Sequence, residues 1–356
     1  MRKALQLAER GRGRTSPNPM VGAIVVNREG VVVGTGAHEK AGGPHAEVAA
    51  LREAGDAARG STLYCTLEPC NHTGRTGPCA PLVAEAGIAR VVVSTEDPNP
   101  LVSGHGLALL RERGIAVTSG VLACEATRLN DAFFTVMRLG RPFVTMKIAT
   151  SRDGKIAARS GARTRLTGPA ADRLIQRDRA EVDAIAIGSG TMVCDDPLLT
   201  ARGAFRERPL TRIIFDSRLR TPPSARIFGT LDAGPVLIVA ASEAETAHRD
   251  RASELRRAGA LVEFVQGPDP LGAFLRTLPD RGVTSMIVEG GATLHAAFWN
   301  AGLVDRVQIY VSPTTLGPEG VPWLPFDVMD DPSIRERAAR LVGEDTLLEG
   351  YVHRPD

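Results

Sequence analysis

Four residues in the first quarter of the sequence have the types and spacing of a catalytic zinc site. His45 and Glu47 are followed by the pair Pro69-Cys70 and, after eight further residues, by Cys79. One imidazole and two thiolates supply the three ligands usual for a catalytic zinc, and the fourth position is left to water. Glu47 can reach that water and move its proton. This order of residues is typical of zinc deaminases, in which water attacks a ring carbon and ammonia leaves.

A purely structural zinc site is the alternative, and it needs a fourth protein ligand. The nearby candidates are His38, Cys65 and His72. Cys65 lies in an alternating apolar strand and is interpreted as a core residue. Because Glu47 would have no task in a closed site, the pattern favours the catalytic interpretation.

The surrounding elements predict an α/β protein. Short runs rich in Val and Ile alternate with amphipathic Ala, Leu, Glu and Arg stretches, and 356 residues are enough for two domains. Gly140-Arg141-Pro142 is the natural linker, which gives domains 1–141 and 142–356. In the first domain the pattern predicts helices at 2–10, 45–54, from 79, 107–113 and 124–138, and strands at 21–26, 31–33, 61–67, 90–94 and 115–118.

The second domain reads as a mainly parallel sheet with crossover helices. Its predicted strands are 143–149, 184–187, 212–215, 236–240, 261–265, 285–288 and 307–311, with helical stretches between most of them.

Composition and charge argue against several classes of protein. Lys and Arg (43) nearly balance Asp and Glu (41), and 4% of the residues are aromatic, so a nucleic-acid partner is disfavoured. The longest apolar runs fall short of the roughly 18 residues that span a bilayer, and no secretory signal is evident. Five cysteines, an odd number, indicate reduced thiols. We therefore expect a cytoplasmic protein that does not bind a membrane.

The loop that carries both cysteines also carries a specific resemblance. The segment 66–79 (TLEPCNHTGRTGPC) resembles the deaminase domain of the bifunctional riboflavin-biosynthesis deaminase/reductases, and so do 16–23, 41–48 and 96–100. The resemblance implies a cytidine-deaminase-like three-layer domain with Zn²⁺ on His45, Cys70 and Cys79 and with Glu47 as catalytic residue. It also implies substrate contacts from Asn18, His72 and Arg75. Gly77 stands where the family more often has Pro.

The second half resembles the reductase of the same family, which is similar to dihydrofolate reductase. The matching segments are 147–155, 188–202, 215–217 and 288–294. The resemblance implies a dihydrofolate-reductase-like α/β domain that takes NADPH. The implied substrate residues are Lys147, Arg163, Arg179, Leu199, Arg202 and Glu289. The implied cofactor residues are Ala149, Arg165, Thr191, Asp195, Ser217, Gly291, Ala292, Thr293, Leu294, His295, Ala296 and Ala297.

Two departures from the family concern the reductase. Arg163 and Arg165 stand where the family commonly has a Ser and a Trp, so packing against the nicotinamide or the substrate could differ here, because an Arg adds charge and removes apolar area. Arg218, next to Ser217, is a conceivable partner for a cofactor 2′-phosphate.

The resemblance predicts a two-step enzyme acting on a small phosphoribosyl-pyrimidine. The first domain would remove the 2-amino group of a diamino-ribosylamino-pyrimidinone 5′-phosphate, and the second would reduce its ribosyl group with NADPH. A homodimer or higher homo-oligomer is expected from the family. Three alternatives remain open: a zinc deaminase whose second domain is structural or regulatory, an RNA base deaminase, and a non-enzymatic zinc-stabilised binding protein.

Overall fold

The computed structural model describes residues 1–71, 77–99 and 102–353. The chain divides into two compact units, Met1–Gly140 and, within the described residues, 141–353. Gly140 ends the last helix of the first unit with a positive φ of 65°. Arg141 already belongs to the second unit, where its guanidinium forms a buried ion pair with Asp305. In this described part of the chain, none of the helices has the length and apolar character needed to cross a membrane.

The first unit is a five-stranded sheet with helices on both faces. The strands follow the order β2-β1-β3-β4-β5; β1 is antiparallel to both of its neighbours, whereas β3, β4 and β5 are parallel. The elements are α1 (Arg2–Ala8), β1 (Gly22–Val26), β2 (Val32–Ala37), α2 (Ala46–Ala54), β3 (Thr62–Leu67), α3 (Cys79–Glu85), β4 (Arg90–Thr95), α4 (His105–Glu112), β5 (Ala116–Thr118), α5 (Ala123–Leu129) and α6 (Asp131–Leu139).

Two glycines let α1 and α2 approach the sheet closely. A Cβ at Gly22 would lie 1.9 Å from the carbonyl oxygen of Ala4 in α1, and one at Gly36 would lie 2.0 Å from that of Ala46 in α2. Gly36 pairs with Ala23, the neighbour of Gly22, and successive strand residues face opposite sides. The two helices therefore cover opposite faces, which gives the expected three-layer arrangement.

The predicted helix 124–138 is two helices, and the prediction was wrong at the break. Asn130 leaves the helical conformation with φ −116° and ψ 24°. Its side-chain amide forms two hydrogen bonds with the backbone of Met20: it accepts from the Met20 N–H at 2.7 Å and donates to the Met20 carbonyl oxygen at 2.9 Å. Periodicity continues across Asn130, so this long-range contact could not be read from the sequence.

The second unit contains a nine-stranded sheet of order β11-β10-β9-β8-β12-β6-β13-β16-β15, parallel except at β16 and β15. Its elements are β6 (Phe143–Thr150), β7 (Lys155–Ala157), α7 (Pro169–Glu181), β8 (Ala184–Gly188), α8 (Ser189–Asp195), β9 (Thr211–Phe215), β10 (Val236–Ala241), α9 (Glu243–Ala247), α10 (Arg249–Arg257), β11 (Ala260–Val265), α11 (Pro270–Arg276), β12 (Ser285–Glu289), α12 (Ala292–Asn300), β13 (Arg306–Val311), β14 (Val321–Pro322), β15 (Arg335–Val342) and β16 (Asp345–Tyr351).

The parallel part of this sheet is buried on both faces. Along β8, Ala184 and Ala186 belong to one apolar core, whereas Ile185 and Ile187 belong to another. A strand covered on both sides reads as a continuous apolar run. For that reason the sequence located the seven parallel strands correctly.

The strands near the C-terminus were not predicted. β15 is exposed along almost its whole length and carries three arginines and one glutamate, so it shows no apolar alternation. It forms an antiparallel hairpin with β16, which is only partly buried. The short pair β7 and β14 was missed as well, because two or three residues give no period.

Candidate functional site

The predicted zinc ligands converge from three separate elements. His45 precedes α2, Cys70 follows β3, and Cys79 is the first residue of α3. The Nδ1 atom of His45 lies 3.2 Å from the Sγ atom of Cys79 and 3.6 Å from that of Cys70. All three ligand atoms lie within 4.8 Å of one another. Ligand bonds of about 2.0–2.3 Å place the donors of a tetrahedral zinc at such separations, so the donor set fits the ion.

The thiols of Cys70 and Cys79 differ in the direction of their pKa shifts. Hydrogen bonds from Cys79 and His45 lower the pKa of Cys70 to about 4, although partial burial opposes this. The same Cys70–Cys79 bond raises the pKa of Cys79. The bond to Cys70 also raises the pKa of His45. A thiolate held between an imidazole and a second sulfur is the state that a zinc ion binds.

Glu47 lies in the first turn of α2 and is 4% exposed. Burial raises its pKa to about 7, even though its own backbone N–H and the nearby His45 favour the charged form. The carboxyl also hydrogen-bonds with Cys79, which places it beside the ligand cluster. A carboxyl whose pKa lies near neutrality can both take and return a proton.

Asn18 reaches the zinc-ligand segment through His38. The amide nitrogen of Asn18 lies 3.2 Å from Nε2 of His38, and Nδ1 of His38 lies 3.0 Å from the carbonyl oxygen of Pro44. Because the amide nitrogen only donates, Nε2 of His38 accepts and its Nδ1 carries the proton. The His38 ring also packs edge-on against His45, with centroids 5.6 Å apart.

Four further residues named in the sequence analysis lie in the cysteine loop or in the strand before it. His72 and Arg75 lie outside the described residues. Gly77 is described, and a Cβ added there would meet no atom within 4 Å. Cys65 is fully buried in the core of the first unit, as expected for a residue that does not bind the metal.

Three charged residues meet in the second unit, at the carboxyl end of β12. Arg179, on α7, donates two hydrogen bonds to the Glu289 carboxylate, at 2.8 and 2.6 Å. Lys147, in register beside Glu289 on β6, places its Nζ atom 3.8 Å from the same carboxylate. Burial raises the pKa of Glu289, but the two cations outweigh it and lower the pKa to about 2. Glu289 is therefore ionised, and burial lowers the pKa of Lys147.

The segment around Leu199 lies against the same helix. Arg179 donates to the carbonyl oxygen of Thr200 at 3.4 Å, and the Arg202 backbone N–H donates to the Gln176 side chain at 2.7 Å. Leu199 is buried with a φ of 51°, while the Arg202 side chain is exposed. The structure thus brings four separate parts of the predicted substrate site together around Arg179.

The predicted cofactor residues lie mainly along one edge of the sheet. β9, β8, β12 and β6 are adjacent and parallel, so their carboxyl ends share an edge. Ser217, exposed, follows β9, and Gly291 follows β12 and precedes α12. Thr191, in the first turn of α8, has its Oγ1 atom 3.8 Å from the position a Cβ would take at Gly290. Ligands of open parallel sheets bind at this edge.

Not every residue of the stretch 291–297 faces outward. Leu294 packs into the core, and the His295 ring is fully buried. The ring accepts from the Trp323 indole N–H on Nδ1 at 2.9 Å, and its Nε2 lies 3.1 Å from the carbonyl oxygen of Val288. A contact of His295 with a dinucleotide would therefore have to come from its backbone. Thr293 and Ala297 are exposed.

The remaining predicted arginines are on the surface. Arg163 and Arg218 are exposed. Arg165 is exposed and pairs with Asp172 in the first turn of α7 at 2.7 Å. The positive charge that Arg165 carries, at a position where the family commonly has Trp, therefore has an anionic partner within the reductase unit.

Sequence reasoning did not find the residues that support these sites. Tyr310 lies beneath Lys147, with the ammonium 5.7 Å from the ring centroid, and its hydroxyl donates to Asp178 at 3.5 Å. His38 was considered only as a spare metal ligand. These roles arise from side chains that are distant in sequence, and no local motif marks them.

Comparison with known proteins agrees with both halves of this description. Residues 1–95 match the cytidine and deoxycytidylate deaminase zinc-binding region, and residues 142–348 match the RibD C-terminal domain. The riboflavin biosynthesis protein RibD of Aquifex aeolicus is 40% identical over 351 residues, covering 98% of this chain and 96% of that protein. The chain belongs to the RibD family.

Other RibD proteins cover the chain equally well. The Escherichia coli protein is 39% identical over 98% of this chain and 97% of its own. The Acinetobacter baumannii RibD structure superposes with a TM-score of 0.87 at 35% identity, covering 98% of this chain and 97% of its own. A Thermotoga maritima structure described as a diaminohydroxyphosphoribosylaminopyrimidine deaminase/5-amino-6-(5-phosphoribosylamino)uracil reductase has a TM-score of 0.84 at 32% identity, covering 99% and 97%.

Family membership confirms the main expectations from the sequence. This RibD family member is a bifunctional deaminase and reductase of riboflavin biosynthesis, with a cytidine-deaminase-like first domain and a dihydrofolate-reductase-like second domain. Its cofactors are zinc in the deaminase and NADPH in the reductase. The RNA deaminase and the non-enzymatic zinc protein are thereby excluded as interpretations.

Proposed function

We propose that this chain deaminates 2,5-diamino-6-(ribosylamino)-4(3H)-pyrimidinone 5′-phosphate and then reduces the product to 5-amino-6-(ribitylamino)uracil 5′-phosphate. The observation that carries the proposal is the convergence of His45, Cys70 and Cys79 beside the buried Glu47. The charged cluster around Glu289 supports the second step. The description of the Thermotoga maritima relative names both reactions for that protein.

In the deaminase, Glu47 is the residue that moves protons. Zinc, held by His45, Cys70 and Cys79, would lower the pKa of water so that a nucleophile is available near neutral pH. Glu47 takes a proton from the attacking water and returns it to the departing amine; the water oxygen bonds to C2, the C2–N bond breaks, and ammonia leaves.

Binding of the substrate falls to residues around that centre. Since the Asn18 amide nitrogen faces His38, its carbonyl oxygen is the atom that would accept from a pyrimidine N–H. His72 and Arg75 are assigned to the phosphate on the resemblance alone, because a guanidinium and an imidazole suit an anionic oxygen.

In the reductase, the chain would bind and orient the substrate and NADPH, which would supply the hydride to C1′ as the C1′–O4′ bond breaks and O4′ takes a proton from solvent. Arg179 and Arg202 would bind the substrate phosphate, and Glu289 would accept from the pyrimidine. Lys147, Leu199 and Arg163 complete the proposed substrate set. Ala149, Arg165, Thr191, Asp195, Ser217 and the stretch 291–297 form the proposed cofactor set.

The location of the enzyme and its oligomeric state are part of the same proposal. A cytoplasmic location is consistent with the reduced thiols of Cys65, Cys70, Cys79 and Cys194. A homodimer or higher homo-oligomer stays a prediction from the family resemblance.

The test follows both reactions in one cuvette. Zinc-loaded protein is mixed with the diamino-pyrimidinone ribotide and NADPH, and ammonia release is measured together with NADPH absorbance. The proposal predicts both signals, with ammonia release lost in Glu47→Gln. Glu53→Gln is the matched control, because Glu53 lies on the same helix but is exposed and contacts Thr35.

The two failures have different meanings. Ammonia release without NADPH oxidation would support the alternative of a deaminase with a structural second domain, and would make Arg163 and Arg165 the first residues to revert to Ser and Trp. Absence of both signals would refute the substrate assignment.

A further inference from the structure

Glu68 is a buried carboxylate two residues before the zinc ligand Cys70. It is 3% exposed, and its backbone N–H continues the pairing of β3 with β4 by donating to the carbonyl oxygen of Thr95 at 3.0 Å. A carboxylate at such a depth has to be compensated by hydrogen-bond donors or by cations. Its surroundings therefore indicate what it does.

Four backbone N–H groups compensate this carboxylate. Oε2 accepts from Asp97 at 3.2 Å and from Gly104 at 2.9 Å. Oε1 accepts from Gly106 at 2.9 Å and from Leu107 at 3.2 Å. Each oxygen thus receives two bonds, and bonds to an ionised acceptor are about twice as strong as neutral ones.

Three of the four donors belong to the first turn of α4. The first N–H groups of a helix have no partner within the helix, and a side chain at the N-cap usually accepts from them. The N-cap of α4 is Gly104, which has no side chain. Glu68 supplies the missing acceptor from another strand, and its negative charge is favourable at the positive end of the helix dipole.

The segment that carries Glu68 is also in van der Waals contact with α4. A Cβ at Gly106 would lie 1.9 Å from the carbonyl oxygen of Pro69, so the helix approaches the chain between Glu68 and Cys70 as closely as a glycine permits. Two contacts therefore fix Pro69 against α4: the hydrogen bonds of the preceding Glu68 side chain and the close approach of Gly106 to the Pro69 carbonyl oxygen.

Cys70 is in turn tied to the other cysteine ligand. Its carbonyl oxygen accepts from the Ala80 N–H at 3.0 Å, and its Sγ atom accepts from the Cys79 N–H at 3.4 Å. The chain 68–70 is thus held by α4 at one end and by α3 at the other. The separation of the two sulfur ligands depends on both attachments.

We propose that Glu68 is a positioning residue of the zinc site, which sets the place of Cys70 by binding the N-terminal turn of α4. This inference rests on the proposed deaminase function of the site. Glu68 touches neither the metal nor the substrate in this role; it acts through the backbone of Pro69 and Cys70.

Replacing Glu68 by Gln tests the four hydrogen bonds to the Glu68 carboxylate with a change of one atom. The amide nitrogen of Gln is a donor and would face two backbone N–H donors, so two of the four bonds are lost and the charge is removed. Changes just outside a metal's ligands commonly cost 10–100-fold in affinity or activity. We expect the dissociation constant for Zn²⁺ to rise at least about tenfold, and the deaminase kcat to fall by a similar factor.

The experiment measures zinc binding directly on the full chain. Wild type, Glu68→Gln and Glu96→Gln are stripped of metal and titrated with Zn²⁺ against a chromophoric chelator, well below their melting temperatures. Glu96 is the matched control, because it undergoes the same change, lies next to Asp97 and is exposed. The visible bands of the Co²⁺-substituted proteins report the geometry of the thiolate ligands. NADPH oxidation with the deaminated substrate is the internal control.

The outcomes distinguish the positioning role of Glu68 from the zinc assignment on which it depends. Weaker Zn²⁺ binding and altered Co²⁺ bands in Glu68→Gln, with Glu96→Gln within twofold of wild type and the reductase rate unchanged, would support the positioning role. A lowered melting temperature with unchanged Zn²⁺ affinity and bands would show that Glu68 only stabilises the fold. A wild-type protein that binds no Zn²⁺ would refute the zinc assignment, and this inference with it. If Glu68→Gln does not fold, Glu68→Asp is judged by the same criteria, because it retains the charge but withdraws the oxygens by one methylene.

Discussion

Replacing Glu289 by Gln should destabilise the reductase unit. The change removes the negative charge that Lys147 and Arg179 share and leaves two partly buried cations facing a neutral amide. Removing one partner of a buried ion pair typically costs several kcal/mol of stability, because the remaining charge loses its compensation. The change in size is negligible, so the effect reports charge rather than packing.

The expected magnitude follows from the pKa of Glu289. Its ordinary value is 4.5 and its value in the fold is about 2. This lowering of the Glu289 pKa by about 2.5 corresponds to about 3 kcal/mol of stability at pH 7. Because the folded-state pKa is the lower one, this contribution is complete above pH 4.5 and is lost as the pH falls towards 2. At pH 3 we expect a difference of only about 1 kcal/mol between wild type and variant.

Tryptophan fluorescence gives an assay that sees this unit alone. The chain has two tryptophans, Trp299 and Trp323, and both lie in the second unit. Urea unfolding of the full chain, followed at pH 7 and at several lower values, yields the free energy of unfolding for wild type and Glu289→Gln. Glu263→Gln is the control, since Glu263 forms a more exposed ion pair with Arg281 and should change the free energy by less than about 1 kcal/mol.

Two results are expected together. The variant has to be less stable at pH 7 by about 3 kcal/mol, and the gap has to narrow as the pH falls below 4.5. A gap below 1 kcal/mol at pH 7, or one that does not change with pH, would refute the view that Glu289 is held ionised by its two partners.

Other predictions follow from the same structure. Glu47→Gln should lower the ammonia-release kcat by about 10²–10⁴-fold at unchanged zinc content, measured by a coupled ammonia assay and metal analysis; lost zinc would instead make it a structural residue. Arg141→Met should cost about 3–5 kcal/mol in tryptophan-monitored unfolding, because it leaves the buried Asp305 unpaired; a cost near zero would contradict this. Gly36→Ala should lower the melting temperature of the first unit and weaken zinc binding, because the added Cβ meets the backbone of α2 at Ala46; normal binding and melting would show that α2 can move aside. Chelation of zinc should abolish ammonia release and lower the calorimetric melting temperature of the first unit, while tryptophan-monitored unfolding stays unchanged.

The sequence by itself predicted a zinc deaminase in the first unit and located the seven parallel strands of the second. His45, Glu47, Cys70 and Cys79 could be proposed for the zinc site because a catalytic zinc restricts both the types of its ligands and their number. The parallel strands could be located because each is a short apolar run buried on both faces. Both signals consist of residue types and their spacing along the chain, so one sequence is enough to detect them.

Only the tertiary structure decided how distant residues pair. Glu289 meets Lys147 because β12 and β6 are neighbours in the sheet, although they lie far apart in the chain. The break at Asn130 and the capping of α4 by Glu68 depend in the same way on backbone groups supplied by other elements. Periodicity records which face of an element is buried, but it carries no information on which element lies opposite. For that reason candidate zinc ligands could be proposed from the sequence, whereas the contacts that hold and tune both sites could not be predicted from it.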